Sequence, residues 1–224
     1  MEKILSLDPD FVLLMDRLEN HRSVGEILKQ VGIPALRVQY RNYHDFLELM
    51  KTFSRINGTS SCTEVQDQVD RILKTVPKQT EAPRFYVIFA AGRGIYAEGP
   101  SSNTACMAEM LGGKNLAGEF TKPRIPFSLE QIVLDDPDVI FFVTMGESEE
   151  IQRRLAGEFL ELPVWQKLSA VQNKRVHFLP NELFLYLPGL RYPEAFLILR
   201  NLLYPEQTVP ADFNLKEEPN HAEP

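Results

Sequence analysis

The sequence predicts an α/β fold of two Rossmann-like lobes with mainly parallel sheets, joined by one long helix. Three observations predict it. Apolar runs of strand length alternate with amphipathic helical stretches. One helix–turn–strand unit occurs twice, 128 residues apart. A helical segment followed by a polar, proline-bounded stretch lies between the two copies.

In the first part of the chain, a short helix and a D-P-D turn lead to a strand from Phe11 to Met15, apolar throughout as a strand covered on both faces should be. Ser23 and Glu26 have capping-box spacing and predict the start of a helix that Gly32 closes. A strand over 35–40 follows, then a helix over 45–56 with Phe46, Leu49, Met50 and Phe53 on one face. Ser61 and Glu64 repeat the capping spacing before a stripe of Val65, Val69, Ile72, Leu73 and Val76, which is the expected linking helix. Residues 77–83 are polar and bounded by prolines, as a linker is. Beyond them the pattern restarts: a strand over 84–91, a helix over 103–113, a helix from Ser128 and a strand over 139–144. A helix around 149–156, a helical segment over 165–171, a strand over 175–180 and a last helix over 193–204 complete it. The divisions expected are an N-terminal lobe at 1–58, a linking helix and linker at 59–82, a C-terminal lobe at 83–204 and a disordered tail at 205–224.

Composition limits the function. With 224 residues, 44% hydrophobic and 25% charged, the chain can bury a core as one domain or two small lobes. A net charge of −7 leaves no basic footprint for nucleic acid. The two cysteines, Cys62 and Cys106, form no C-x-x-C pair, and structural thiols are the reading preferred over a disulfide. The four histidines, His21, His44, His177 and His221, share no metal-ligand spacing. No apolar run approaches the roughly 20 residues of a membrane span, and the start has no signal-peptide pattern, so the chain as written reads as soluble and non-exported.

Under the 128-residue shift, Glu2 falls on Glu130, Ile4 on Ile132, and Asp8-Pro9-Asp10 on Asp136-Pro137-Asp138. Leu5, Phe11, Val12 and Leu13 fall on the apolar Val133, Val139, Ile140 and Phe141. Proline presets the turn, and aspartate can bond nearby amides before the strand begins. The matched glutamate goes beyond good turn chemistry, so two related lobes are expected, with the cleft between them as the ligand site.

These segments, with the late string VWQKLSAVQNKRVHFLP, resemble the helical-backbone (class III) substrate-binding proteins of ferric-siderophore, haem and cobalamin ABC importers. The similarity covers about residues 1 to 204. It implies a non-enzymatic protein that captures a metal chelate, with no intrinsic cofactor and an iron or cobalt chelate as cargo. It implies an ABC permease as partner, docked through Glu2 and Glu130, and an extracytoplasmic place. In that family a strand–helix–strand portion precedes the point where this sequence starts. The N-terminal lobe is therefore expected to be incomplete, with an exposed sheet edge that favours self-association.

In open α/β lobes ligands meet the loops at the carboxyl ends of strands. That rule selects Arg93 and Tyr96, Gly146 and Glu147, then Glu182, Tyr186, Arg191 and Tyr192 in the second lobe. In the first lobe it selects Tyr40 and Arg41, with Arg17, His21 and Tyr43. Arginines suit carboxylates or propionates; tyrosines suit a macrocycle or ferric iron. Ser101 or Ser102 should cap the helix at 103. Two rival readings remain. Gly92, Gly94 and Ala97 fit the dinucleotide pattern G-x-G-x-x-A, but Pro100 stands where its helix should begin. A truncated relative serving as a structural or regulatory interaction module is the other.

Overall fold

Residues Met1–Ser60 and Ser61–Pro224 form two compact units. In the first, α1 (Glu2–Leu5), β1 (Val12–Met15), α2 (Glu19–Gln30), β2 (Ala35–Val38) and α3 (Tyr43–Asn57) follow in order. β1 and β2 pair in parallel, from Val12 opposite Ala35 to Met15 opposite Val38. α2 buries Leu28 completely. Gly25 lets it lie close to the sheet, because a Cβ there would stand 3.2 Å from Leu14 Cδ1. The Ser23–Glu26 capping box does not form. α2 starts at Glu19 behind an extended Leu18 with no side-chain cap, which leaves Ser23 inside the helix. α3 begins two residues before its expected start because Asn42 Oδ1 accepts from the amides of His44 and Asp45, at 3.1 and 3.3 Å. Gly58, at φ 71°, ends it in the left-handed conformation that glycine adopts without strain.

This computed structural model describes residues 1–16, 18–58, 62–78, 81–92, 94–118, 124–146, 148–155, 157, 160–207 and 209. The expected cap Ser61 and most of the expected tail lie outside the described residues.

The second unit contains α4 (Cys62–Lys74), β3 (Arg84–Ala91), β4 (Gly94–Glu98), α5 (Asn103–Met110), β5 (Lys114–Asn115) and β6 (Arg124–Pro126). It continues with α6 (Leu129–Asp135), β7 (Val139–Met145), α7 (Ser148–Leu155), α8 (Ser169–Gln172), β8 (Val176–Phe178), α9 (Asn181–Phe184) and α10 (Tyr192–Leu203). The sheet order is β6-β4-β3-β7-β8, with β5 also on β3. β5, β7 and β8 run with the chain direction of the centre, while β4 and β6 are antiparallel. The mixed α/β class with a mainly parallel sheet is thus as the sequence predicts. The correction concerns residues 94–98, expected as a loop between the strand over 84–91 and the helix over 103–113. They form a strand that doubles back on β3, Ala91 facing Gly94 and Ile88 facing Ala97. A hairpin there removes the strand–turn–helix geometry that the dinucleotide pattern requires.

β3 and β7 are buried almost throughout, as apolar strands covered on both faces should be. One face packs Tyr86, Ile88, Ile140 and Phe142 against Ile132, Ile151, Leu155, Trp165 and Leu168. α4 packs on α10 and α10 on α5, so the apolar stripe of α4, with Val65, Val69 and Ile72 buried, belongs to the second unit. Ser102 Oγ caps α5 through the amide of Ala105, and Cys106 is buried in that helix.

The repeat is present in the backbone. Asp8 and Asp136 both lie in the left-handed region, at φ 46° and 41°, where few residues other than glycine, asparagine and aspartate settle. The aspartates of the second copy bond to distant segments as well as holding their own turn. Asp136 accepts from the Ser169 amide and hydroxyl, both at 2.7 Å. Asp138 accepts from the Arg84 amide at 2.7 Å, and the Arg84 guanidinium reaches Asp138 and the carbonyls of Asp135 and Asp136. One D-P-D turn therefore fastens the start of β3 and the start of α8.

The Ser169 hydroxyl, then its amide, hold the Asp136 carboxyl below the usual aspartate range. A carboxyl depressed only in the folded chain stabilises fully above its unfolded pKa, and that contribution is lost as pH falls through the folded value. Asp136→Asn tolerates the left-handed backbone, keeps an acceptor for the Ser169 amide, and replaces the charged acceptor facing the Ser169 hydroxyl with a neutral donor. It should cost no more than about 1 kcal/mol at pH 7 in urea unfolding, and the difference from the parent should shrink as pH falls below the ordinary aspartate range and the folded carboxyl takes up its proton.

Candidate functional site

At the carboxyl ends of β1 and β2, Asp16, Glu19, Arg22, Gln39, Tyr40 and Arg41 line a cavity of about 370 Å³. Tyr40 and Arg41 were selected from the sequence, and they stand on this wall together. Arg41 is oriented by Asp45, whose Oδ2 accepts from its Nε at 3.2 Å and its amide at 2.9 Å. The Tyr40 ring rests 6.0 Å from that of Phe46. His21 is engaged locally: its Nδ1 accepts the Met15 amide at 2.9 Å, which leaves the ring proton on Nε2 in the neutral form. Tyr43 is buried and serves packing. Arg17 lies outside the described residues. Arg22 and Gln39 escaped the sequence reading, because α2 starts at Glu19 rather than at the expected cap Ser23, and its first turn brings Arg22 to the strand ends.

In the second unit the carboxyl ends of β3, β7 and β8 carry the candidates. Arg93 and Glu147 lie outside the described residues. Tyr96 occupies β4 rather than a loop, half-buried, with its ring 6.5 Å from Phe89. Its hydroxyl folds back over the hairpin, where a Cβ on Gly94 would meet it at 3.0 Å. Gly146, at φ 129°, follows β7 directly. Glu182 is exposed in the first turn of α9, and Tyr186 just beyond is 66% exposed. Arg191 is half-exposed and held in a fork by Glu194, at 2.8 and 2.9 Å.

Tyr192 does not join this group. It is completely buried and donates its hydroxyl to Asn103 Oδ1 at 2.8 Å. The start of α10 packs Tyr192 against α5, so its side chain is spent on the core. Arg154 is the opposite case, a residue the sequence reading missed. Its Nη1 caps the carbonyl of Ala91, the last residue of β3, at 2.8 Å. Only the spacing from Ile151 along α7 hinted that it could return to the sheet.

A polar group lies to the side. Glu98 is buried, and burial raises its carboxyl pKa against the opposing effect of Arg124. Arg124 donates to Glu98 Oε1 at 2.9 and 3.0 Å and lies 3.4 Å above the Phe89 ring. This group joins β6 to β4 and β3. A larger cavity, about 1030 Å³, opens at the amino ends of β3, β7 and β8, between Arg84, Lys114, Asp138, Arg175 and His177. Its size does not make it the ligand site. Arg84 is engaged by Asp138 and Arg175 by the last carbonyls of α10, and open sheets bind ligands at the other end. Among the described residues no group of three or more His, Cys, Asp or Glu could hold a metal ion.

Glu2 and Glu130 are both exposed, each in the first turn of its helix, α1 and α6. Ser128 Oγ caps α6 through the Gln131 amide at 3.2 Å. Helix, turn and strand therefore present the two carboxylates from the same place in each copy.

The Periplasmic binding protein family matches residues 1–183 of this sequence. The chain belongs to that family. The high-affinity heme uptake system protein IsdE of Staphylococcus aureus (strain MRSA252) is 19% identical over 215 residues, 92% of this chain and 72% of the relative. An ABC transporter substrate-binding protein from Listeria monocytogenes EGD-e superposes with a TM-score of 0.77 at 20% identity, over 91% of this chain and 80% of that one. The structure of S. aureus IsdE complexed with heme gives 0.75 at 19% identity, with the same shares of 91% and 80%. The vitamin B12 binding protein BtuF of Vibrio cholerae gives 0.71 at 21%, over 90% of this chain and 76% of that one. At these identities the superpositions establish the shared fold. The family is one of transport binding proteins, and the chain is a member of it rather than an enzyme. No helix among the described residues is long and apolar enough to cross a membrane.

Proposed function

We propose that this chain captures a metal chelate, a ferric siderophore, haem or cobalamin, and presents it to the permease of an ABC importer. The observation that carries the reading is the family match over residues 1–183. It is supported by relatives named for heme uptake and for vitamin B12 binding. The ligand contacts proposed are Tyr40 and Arg41 in the first unit and Arg93, Tyr96, Glu182, Tyr186 and Arg191 in the second. Arginines would pair with carboxylates bidentately, and tyrosines would lie against a macrocycle or ligate ferric iron. Glu2 and Glu130 are the proposed docking carboxylates, since both are exposed and stand at equivalent places in the two copies. The place of action is extracytoplasmic, at the periplasm or cell surface, and self-association through the first unit belongs to the same reading.

Thermal unfolding with a panel of haem, cobalamin and ferric siderophores tests the ligand class. A ligand at 100 times its Kd stabilises by about 2.7 kcal/mol, which raises Tm by about 5–10 °C for a chain of this size. At least one of the panel should give that shift. A panel in which none moves Tm removes the metal-chelate reading.

A further inference from the structure

The cavity of about 1030 Å³ at the amino ends of β3, β7 and β8 lies wholly within the second unit, at the far end of the strands from the proposed chelate contacts. Its volume is at the upper end of the range for small-molecule sites. Its charges are not all spent on the fold. Asp138 takes Arg84, and Nη2 of Arg175 is tied to the carbonyls of Leu202 and Leu203. Arg175 Nε, however, is buried with no hydrogen-bond partner among the described residues, and a buried donor left unpaired is costly. Lys114 and Lys174 also line the cavity; both are exposed, and neither has an ion pair with any described residue. His177 is kept neutral by burial and then by Arg175, so its ring adds one N–H donor. The remaining carboxylates of the lining, Glu81 and Glu206, are exposed.

The backbone at Lys174 is a second, independent observation. α8 closes with the Arg175 amide on the Ala170 carbonyl at 2.7 Å and the Lys174 amide on that of Val171 at 3.1 Å. This is the Schellman closure, whose left-handed residue is usually glycine. Here that residue is Lys174, at φ 57°. The other non-glycine residues at positive φ among those described are Asp8 and Asp136, of a type that settles there readily. A lysine gains nothing from that backbone, because its Cβ crowds the following carbonyl. Backbone held in a disfavoured region is a mark of functional positions, and here it sets an ammonium group at the cavity wall.

We propose that this cavity binds a phosphate group, free or as a monoester, through Lys114, Lys174 and Arg175. A phosphate monoester carries a charge of about −1.5 to −2 at pH 7 and three strong acceptor oxygens. That matches two lysine ammonium groups, which act as point charges on phosphate, and a guanidinium whose Nε proton has no other acceptor. A single carboxylate, with one charge and two oxygens, leaves part of this set unmatched. The site is separate from the chelate contacts, so the inference stands whether or not the chain carries a metal chelate.

Thermal unfolding with inorganic phosphate, from about 0.1 to 30 mM against chloride of equal ionic strength, reads the binding. The parent's Tm should climb with phosphate well beyond the chloride arm. Lys174→Gly should melt at or above the parent without phosphate, since glycine suits that backbone. It should nonetheless bind phosphate about tenfold or more weakly, as loss of one charge-assisted hydrogen bond implies. Lys114→Gln, which leaves the α8 turn untouched, should weaken binding to a similar extent. Lys167→Gln, exposed and outside the cavity, should respond as the parent does. The general stabilisation of folded chains by phosphate is common to all four. A parent that responds no more than Lys174→Gly and Lys114→Gln overturns the proposal. Sedimentation with phosphatidylglycerol vesicles separates the two sources of the group: lysine-dependent sedimentation assigns a lipid headgroup, and its absence beside a phosphate response assigns a soluble phosphate.

Discussion

Trp165→Ala is expected to destabilise the second unit by about 3–5 kcal/mol. Trp165 is 2% exposed in a single turn of 3-10 helix and its ring lies 6.3 Å from that of Phe142, which stacks on Phe178 at 4.8 Å and 13°. Ile151, Leu155, Leu168 and Ala170 complete the surroundings. These neighbours sit on separate helices fixed to the sheet, so they cannot close over the space that an indole leaves, and the cost includes a cavity as well as lost burial. The corresponding fall in Tm is about 6–20 °C, read by circular dichroism because Trp165 is the chain's one tryptophan. Leu162→Ala, at a 36% exposed position nearby in sequence, should change stability by no more than about 0.5 kcal/mol.

Glu130→Arg is expected to abolish productive delivery while leaving the ligand affinity unchanged. Glu130 is exposed and has no ion pair with any described residue. Its helix keeps its cap through Ser128, so the substitution should not disturb α6. If the carboxylate meets a buried cation on the permease, its loss costs about 2–5 kcal/mol of docking, or roughly 30-fold to several-thousand-fold in affinity. The readout is stimulation of the importer's ATPase by the loaded chain in proteoliposomes. Glu2→Arg should act in the same direction. A Glu130→Arg chain that stimulates as well as the parent would remove Glu130 from the docking role.

Much of the fold is legible because burial on both faces writes itself into the sequence. β3 is eight apolar-rich residues followed by Gly92, and its limits match the expected strand. The matched D-P-D turns announced the repeat, and their left-handed aspartates bear it out in the backbone. β4 was hidden because it begins with Gly94 and ends with the buried Glu98, a charge that reads as surface until Arg124 is seen beside it. That partner is 26 residues away and no local pattern announces it. The start of α2 was missed for the reverse reason: a good capping pattern at Ser23 was outweighed by a helix already running from Glu19.

Site residues divide on the same ground. Tyr40 and Arg41 follow from strand ends alone, which the sequence marks well. Tyr192 was selected by the same rule and is core, because the rule gives a residue's place along the chain and not the direction of its side chain. Arg154 acts through a bond to a carbonyl 63 residues away, which spacing cannot convey.

Isothermal titration of the purified chain with haem, cobalamin and a ferric siderophore tests the central claim most directly. The account predicts a saturable isotherm with one ligand per chain for at least one of them, with a Kd of about 1 µM or tighter, equivalent to roughly 8 kcal/mol of binding. Heats no larger than dilution for every chelate, with ligand at about 100 times that Kd, would contradict it.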